Sequence, residues 1–238
     1  MPRHENVLVT GASRGLGAAL GRELLARGHR VVLTARNEAE LKQAVDGLRP
    51  EHGDRVQWIA ADLSDPAAMQ ALVPQVEQRF GALDGLVNNA GIGAWRPLVE
   101  WSPLEVIACV NLNLLAPMLL SRAVLPGMVA RRHGMIINIA SDLARRPLAN
   151  MAPYVATKFG LLGFSGSLLR EARAHGVKVS AVLPGIIDTA FNGAQEGSKQ
   201  EAWALRAKVL ASQVVDLFEL PENVVIDELT IHPLHQDF

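Results

Sequence analysis

Val7-Leu8-Val9-Thr10-Gly11-Ala12-Ser13-Arg14-Gly15-Leu16-Gly17 runs from a short, β-branched apolar stretch directly into three glycines spaced four and then two residues apart. The apolar run reads as a buried strand, and residues 18–27 continue with helical character, so the glycines fall at a strand-to-helix turn. Glycine there lets the backbone bend tightly and lets a diphosphate approach the amides at the positive end of the helix. The stretch predicts an α/β protein whose first turn holds a dinucleotide through Gly11, Ser13, Arg14, Gly15, Leu16 and Gly17. A glycine-rich turn that only eases packing is the alternative.

Outward from this turn the same alternation repeats. Short apolar runs at residues 7–10, 31–34, 56–60, 86–88, 135–139, 177–183 and 224–231 are separated by longer segments of helical period. Seven strands alternating with helices read as a parallel, doubly wound sheet in one domain spanning residues 1–238. Helix punctuation agrees: Ser102-Pro103-Leu104-Glu105 is a capping box with proline at the first helical position, Asp65-Pro66 repeats the cap-then-proline signal, and Gly28 and Gly176 follow helix ends. The longest connection without an obvious strand, about 189–219, is the expected substrate lid.

Composition narrows the partners. A net charge of -1, with both signs spread along the chain, leaves no basic face for DNA or RNA. The single Cys109 forms no intramolecular disulfide and supplies no thiolate set for a metal, and it reads as a small apolar core residue. No run of about eighteen uninterrupted apolar residues is present, so the chain is expected to be a soluble, cytoplasmic protein without a membrane partner.

In open parallel sheets ligands bind beyond the carboxyl ends of the strands, which directs attention to the residues that follow them. After the second strand stands Thr34-Ala35-Arg36, where an acidic residue would favour NAD; Arg36, with Arg14, can instead clamp a 2'-phosphate, so NADP is expected over NAD. Tyr154, the only tyrosine, and Lys158 share a helical face at a spacing of four. A neighbouring ammonium favours the phenolate and makes the pair a plausible proton-transfer device. Ser141 closes the strand at 135–139, thirteen residues before Tyr154, and Asn88-Asn89-Ala90-Gly91 ends the fourth strand with small residues that suit close approach of a cofactor.

Together these motifs resemble the short-chain dehydrogenase/reductase family over residues 7–189, most of the chain: the glycine turn, the Asn-Asn-Ala-Gly run, and Ser141 at its interval from Tyr154 and Lys158. The resemblance implies an NAD(P)-binding Rossmann fold with strand order 3-2-1-4-5-6-7 and a catalytic tetrad of Asn111, Ser141, Tyr154 and Lys158. Asn111 would hold a helix irregularity and a water that link Lys158 to solvent. It further implies cofactor contacts from Asp62 and Leu63 at the adenine, from Asn89, Ala90 and Gly91, from Tyr154 and Lys158, and from Pro184, Gly185, Ile187 and Thr189 around the nicotinamide. It implies a small-molecule carbonyl or alcohol as substrate, with subunits paired through the fourth and fifth helices into homodimers or homotetramers.

Substrate choice is expected to come from residues 92–97, 142–152 and the lid. Trp95, Leu143, Ile187 and Phe191 could form an apolar wall there, and Arg145 and Arg146 could meet a substrate anion. The ending Leu229-Thr230-Ile231-His232-Pro233-Leu234 replaces the usual glycine-rich last strand and resembles the family branch acting on small hydroxy acids, sugars or related carbonyls. Two rival readings stay open: a non-catalytic NADP-binding sensor, and an epimerase or dehydratase that retains its cofactor.

Overall fold

The computed structural model describes residues 5–195, 197–200 and 202–236. Strands β1 (Asn6–Thr10), β2 (Arg30–Ala35), β3 (Val56–Ala60), β4 (Gly85–Asn88), β5 (Gly134–Ile139), β6 (Val177–Pro184) and β7 (Glu228–Ile231) form one all-parallel sheet. Their order is β3-β2-β1-β4-β5-β6-β7, as expected, with the direction of winding reversing between β1 and β4. The expected seventh strand at 224–231 is shorter at its start: residues 224–227 lead in without pairing as strand, with Asp227 O accepting from Ala181 N and Ile226 O from Ser180 Oγ of β6.

Helices cover both faces. On one lie α1 (Gly15–Ala26), α2 (Glu38–Asp46) and a helix near the end of the chain; on the other lie α3 (Pro66–Phe80), α4 (Pro103–Arg131) and α5 (Ala152–Ala172). Leu16, Leu20 and Leu24 of α1 pack with Val9, Leu33 and Val87 in one apolar layer, while Met69, Leu72, Leu120, Val124 and Leu168 pack with Leu8, Leu86 and Ile136 in the other. Sequence punctuation explains the boundaries: Asn37 caps α2 on Glu40 N, Asp65 caps α3 on Ala67 N ahead of Pro66, and Ser102 and Glu105 form the expected reciprocal box ahead of α4.

Two features correct the sequence reading. The last helix, α6 (Ala207–Val215), lies inside the expected lid, yet Leu210, Ala211, Val214 and Val215 are fully buried against α1. The segment expected to be a lid therefore keeps only the connection between Thr189 and α6 free of this core helix. Ile187–Asp188, just before that connection, and Leu205–Arg206, near its end, form a two-residue parallel ribbon, and residues 196 and 201 lie outside the described set. Second, α4 is 29 residues long with mean hydropathy 1.7 over its most apolar window, only a third of it buried, enough by length and composition to cross a membrane. Glu105, Asn111, Asn113, Ser121 and Arg122 interrupt that apolar run.

The helix α4 is not uniform. Asn111–Leu115 forms a π turn, followed by Pro117, which cannot donate to the preceding turn. This widened turn stands beside α5 and the carboxyl ends of β4 and β5, so the expected helix irregularity is present.

Candidate active site

The glycine turn is held from below. Thr10 Oγ1 accepts from Asn89 N (3.0 Å) and Ala90 N (2.9 Å), and Asn89 Nδ2 donates to Thr10 O at 2.8 Å and Gly11 O at 3.2 Å. Side chains are excluded here: a Cβ on Gly11, whose φ is +64°, would lie 2.8 Å from Ala90 Cα, and one on Gly17 would lie 2.6 Å from Asn89 Nδ2. The amide nitrogen of Asn89, a residue expected at the cofactor, is spent on the turn itself. Arg14 precedes α1 without a side-chain cap, so the first amides of the helix remain available to an anion. These residues fit a bound diphosphate.

At the ends of β2 and β3, Arg36 is exposed and Asp62 accepts from Ser64 N (2.9 Å) and Ser64 Oγ (2.7 Å). Burial acts to raise the Asp62 carboxyl, but the Ser64 bonds and the Arg36 charge outweigh it and hold it below its ordinary value. Leu63, expected at the adenine, is 4 % exposed with its side chain in the core, so only its backbone can serve. Across the turn, Thr189 lies close enough to Gly15 that a Cβ there would touch it at 3.4 Å.

Beyond β5 the catalytic candidates come together. Ser141 and Tyr154 are nearly buried, and the Ser141 side chain lies close enough to act on the Tyr154 phenol. Ser141 Oγ also accepts from Leu143 N at 3.2 Å and donates to Asp142 Oδ1 at 3.1 Å. Lys158 Nζ lies 5.5 Å from the centre of the Tyr154 ring and donates to Ile139 O at 2.7 Å. Met151, Val155 and Leu143 pack around Tyr154, and the Phe191 ring stands 6.0 Å from it.

Electrostatics here depart from the sequence expectation that Lys158 lowers the tyrosine. Burial pushes Tyr154 up to about 12, the Ser141 bond opposing and the Asp142 charge adding to it; burial pulls Lys158 down from 10.5 to about 8. Desolvation is the largest cause of both shifts. Around neutrality the phenol carries its proton.

The fourth expected member is corrected. Asn111 Nδ2 donates to Ser64 O at 3.1 Å, away from this cluster. Asn113, two residues on and fully buried, is the one that faces in: its Oδ1 accepts from Ile92 N (2.8 Å), and its Nδ2 donates to Ile92 O (2.7 Å) and Thr157 Oγ1 (3.2 Å). It stands beside Lys158 across Gly91, where an added Cβ would lie 3.3 Å from Asn113 Oδ1 and 3.8 Å from Lys158 Nζ. Residues two apart on a helix point about 200° apart, so only one of the pair can face the site. The burial stripe Cys109, Asn113, Ala116, Leu120, Val124 passes through Asn113, a signal already present in the sequence.

Sequence reasoning also missed Asp142 and the end of the chain. Gln236 Nε2 donates to Asp142 Oδ2 at 2.7 Å, and His232 Nε2 lies 3.6 Å from the same oxygen. Among the proposed substrate residues, Trp95 is 64 % exposed, Ile187 packs on the core, and Arg145 is paired with Glu228 instead of standing free for a substrate anion. Glu5, Asp84 and His133 bring ligand atoms within 4.8 Å of one another at the opposite, amino ends of the central strands β1, β4 and β5, but Asp84 is engaged by Asn6 N and Arg131, and Glu5 by His133.

Comparison with known proteins identifies the family. The family described as short chain dehydrogenase matches residues 5–200. The 3-oxoacyl-acyl-carrier-protein reductase of Vibrio cholerae is 35% identical over 234 residues, 94% of this chain and 93% of the relative. Among solved structures, an alcohol dehydrogenase from Thermococcus sibiricus complexed with 5-hydroxy-NADP superposes with a TM-score of 0.91 at 29% identity, covering 98% of both chains. Serine dehydrogenase in a closed form complexed with NADP+ gives 0.88 at 31% identity, covering 98% of this chain and 96% of that one.

Proposed function

Because the chain belongs to the short-chain dehydrogenase family, we propose that it is an NADP(H)-dependent oxidoreductase interconverting a carbonyl and a secondary alcohol, with Tyr154 as acid and base. The meeting of Tyr154, Ser141, Lys158 and Asn113 beyond β5 carries this reading. The NADP complexes of the structural relatives and the arginines at positions 14 and 36 support the cofactor. The first amides of α1 would take the diphosphate, Arg14 and Arg36 the 2'-phosphate, Asp62 the adenine, and Ile187 and Thr189 the nicotinamide end.

In reduction, the Ser141 hydroxyl turns from Asp142 to the substrate carbonyl oxygen, and Tyr154 donates its proton to that oxygen. Bound NADPH supplies the hydride. A phenol pushed up to about 12 is protonated at neutral pH and suits this donor role. Lys158 binds the nicotinamide ribose and brings a positive charge towards the phenolate left behind, while Asn113 fixes the Gly91–Ile92 turn against Lys158. Oxidation runs the same path backwards.

The chain's ending and the likeness to serine dehydrogenase favour a small hydroxy acid or related carbonyl over an acyl chain on a carrier protein. A cytoplasmic enzyme fits this chemistry. A second copy of the chain is the partner proposed for the apolar face of α4 and α5, where Leu104, Ile107, Val110, Met118 and Phe159 are exposed. The deciding experiment follows NADPH oxidation with aldehydes, ketones, diketones, keto acids and an acetoacetyl thioester, and NADP+ reduction with L-serine, for the wild type and Tyr154→Phe. Turnover in the wild type should fall by at least about a hundredfold in the variant with NADPH affinity kept; substantial residual turnover removes Tyr154 from the mechanism.

A further inference from the structure

Past β7 the chain folds back over the site. Gly185 N donates to Ile231 O at 2.8 Å, and His235 N donates to Ala202 O at 3.2 Å with the Trp203 and His235 rings 6.2 Å apart. Gln236 then inserts between two loops: its Oε1 accepts from Ile186 N at 2.8 Å, and its Nε2 donates to Asp142 Oδ2 at 2.7 Å. Gly185 makes room, because a Cβ there would overlap Gln236 and lie 2.9 Å from His232 Cδ2. Asp142 in turn is 8 % exposed and takes the Ser141 hydroxyl on its other oxygen at 3.1 Å.

We propose that Gln236 is a positioning residue for the reaction: it clamps the loop after β6 to the catalytic-serine loop and, through Asp142, sets the direction of the Ser141 hydroxyl. The inference rests on the Ser141 and Tyr154 assignment above. Its logic is one of donor and acceptor count. Ile186 N needs an acceptor and the Asp142 carboxylate needs a donor, and a primary amide offers one of each on a single rigid group. A nearly buried carboxylate must be satisfied, and Gln236 and Ser141 supply donors to its two oxygens. The Ser141 hydroxyl also acts on the Tyr154 phenol, opposing the rise that burial imposes, so the influence of the tail runs through Asp142 and Ser141 to the phenol. A substrate oxygen competes with Asp142 for the one Ser141 proton. Whatever disturbs Asp142 from the tail side therefore changes how Ser141 meets substrate.

Tyr154 is the only tyrosine, so protein labelled with 13C at tyrosine Cζ gives one resonance that reports the phenol's hydrogen bonding without any substrate. Gln236→Glu sets two carboxylates face to face, and Asp142→Asn can keep the Gln236 bond only by turning its amide nitrogen on Ser141 Oγ, which reverses the bond that Ser141 makes. Exchanging the groups in the double variant D142N/Q236E restores a donor and an acceptor at every contact. Each single variant should move the resonance and lower kcat about tenfold or more at unchanged NADPH affinity, and the double should return both to within about threefold of wild type. Gln236→Ala provides the same reading of the resonance should Gln236→Glu fail to fold. A resonance unmoved by the Gln236 variants, or a double variant no better than its singles combined, overturns the proposal. Failure of Tyr154→Phe to lose activity would instead strike the underlying assignment, whatever the tail variants do.

Discussion

The half of the sheet built from β1 to β4 and the half built from β5 to β7 solve different problems with different parts. The first half makes its site from backbone: glycines admitted because a Cβ would collide with Ala90 or Asn89, uncapped amides at the start of α1, and polar side chains such as Thr10 and Asn89 that serve the turn itself. The second half makes its site from buried side chains whose partners lie far along the chain, as in Asn113 with Thr157 and Asp142 with Gln236. Backbone sites demand particular residues at fixed short spacings. Side-chain sites demand only that the right group arrive, from anywhere.

The sharpest way to break this contrast is at the two asparagines of α4. Asn113→Ala strands both Ile92 backbone groups and the Thr157 hydroxyl beside Lys158, and a displacement of about 1 Å at a reacting group can cost about a hundredfold. Asn111→Ala removes one bond to Ser64 O at the other side of the helix, worth about 1 kcal/mol of stability. Steady-state kinetics should show kcat down about a hundredfold for the first and changed by less than about threefold for the second. The reverse order would return Asn111 to the site.

That pair also shows where sequence reading succeeds and fails. The glycine turn and the candidates Ser141, Tyr154 and Lys158 were legible from local rules, a turn without room for a side chain, a strand end and a helical spacing of four, whereas the strand order came only with the family resemblance. In Asn111-Leu112-Asn113 both asparagines sit in one apolar run, and only the burial stripe tells them apart. α6 was hidden in the expected lid because its four apolar contacts at 210, 211, 214 and 215 are too few to stand out beside a long polar connection. Asp142 and Gln236, separated by 94 positions, share no local signal at all.

A smaller effect sharpens the backbone half. Arg36→Asp places a like charge where the 2'-phosphate is proposed to sit, and losing a charge-assisted bond of about 1.5–3 kcal/mol corresponds to about 10- to 100-fold in affinity. Binding titrations should show NADPH weakened far more than NADH. An unchanged ratio of the two dissociation constants would leave cofactor choice to Arg14 or to another group.

The smallest expected effect is the one that reads the side-chain half as a cost in stability. Lys158 is 4 % exposed and its one hydrogen bond goes to Ile139 O; displacement from 10.5 to about 8 disfavours its charged form by about 3 kcal/mol relative to water. Lys158→Met removes that penalty and gives back about 1 kcal/mol for the lost bond, so the cofactor-free chain should gain on the order of 2 kcal/mol while losing turnover. Between about pH 8 and 10.5 the unfolded chain holds a proton that the folded chain has released, so the wild type gains stability as pH rises through that window. The advantage of the variant is therefore full below about pH 8 and, with the penalty gone, turns above about 10.5 into a deficit of about 1 kcal/mol from the lost bond. Denaturant unfolding at pH 7 and pH 10 measures the difference directly. Equal stability at pH 7 would mean that the fold accommodates the Lys158 charge without strain, and the distinction between a backbone site that costs little and a side-chain site that costs stability would fall with it.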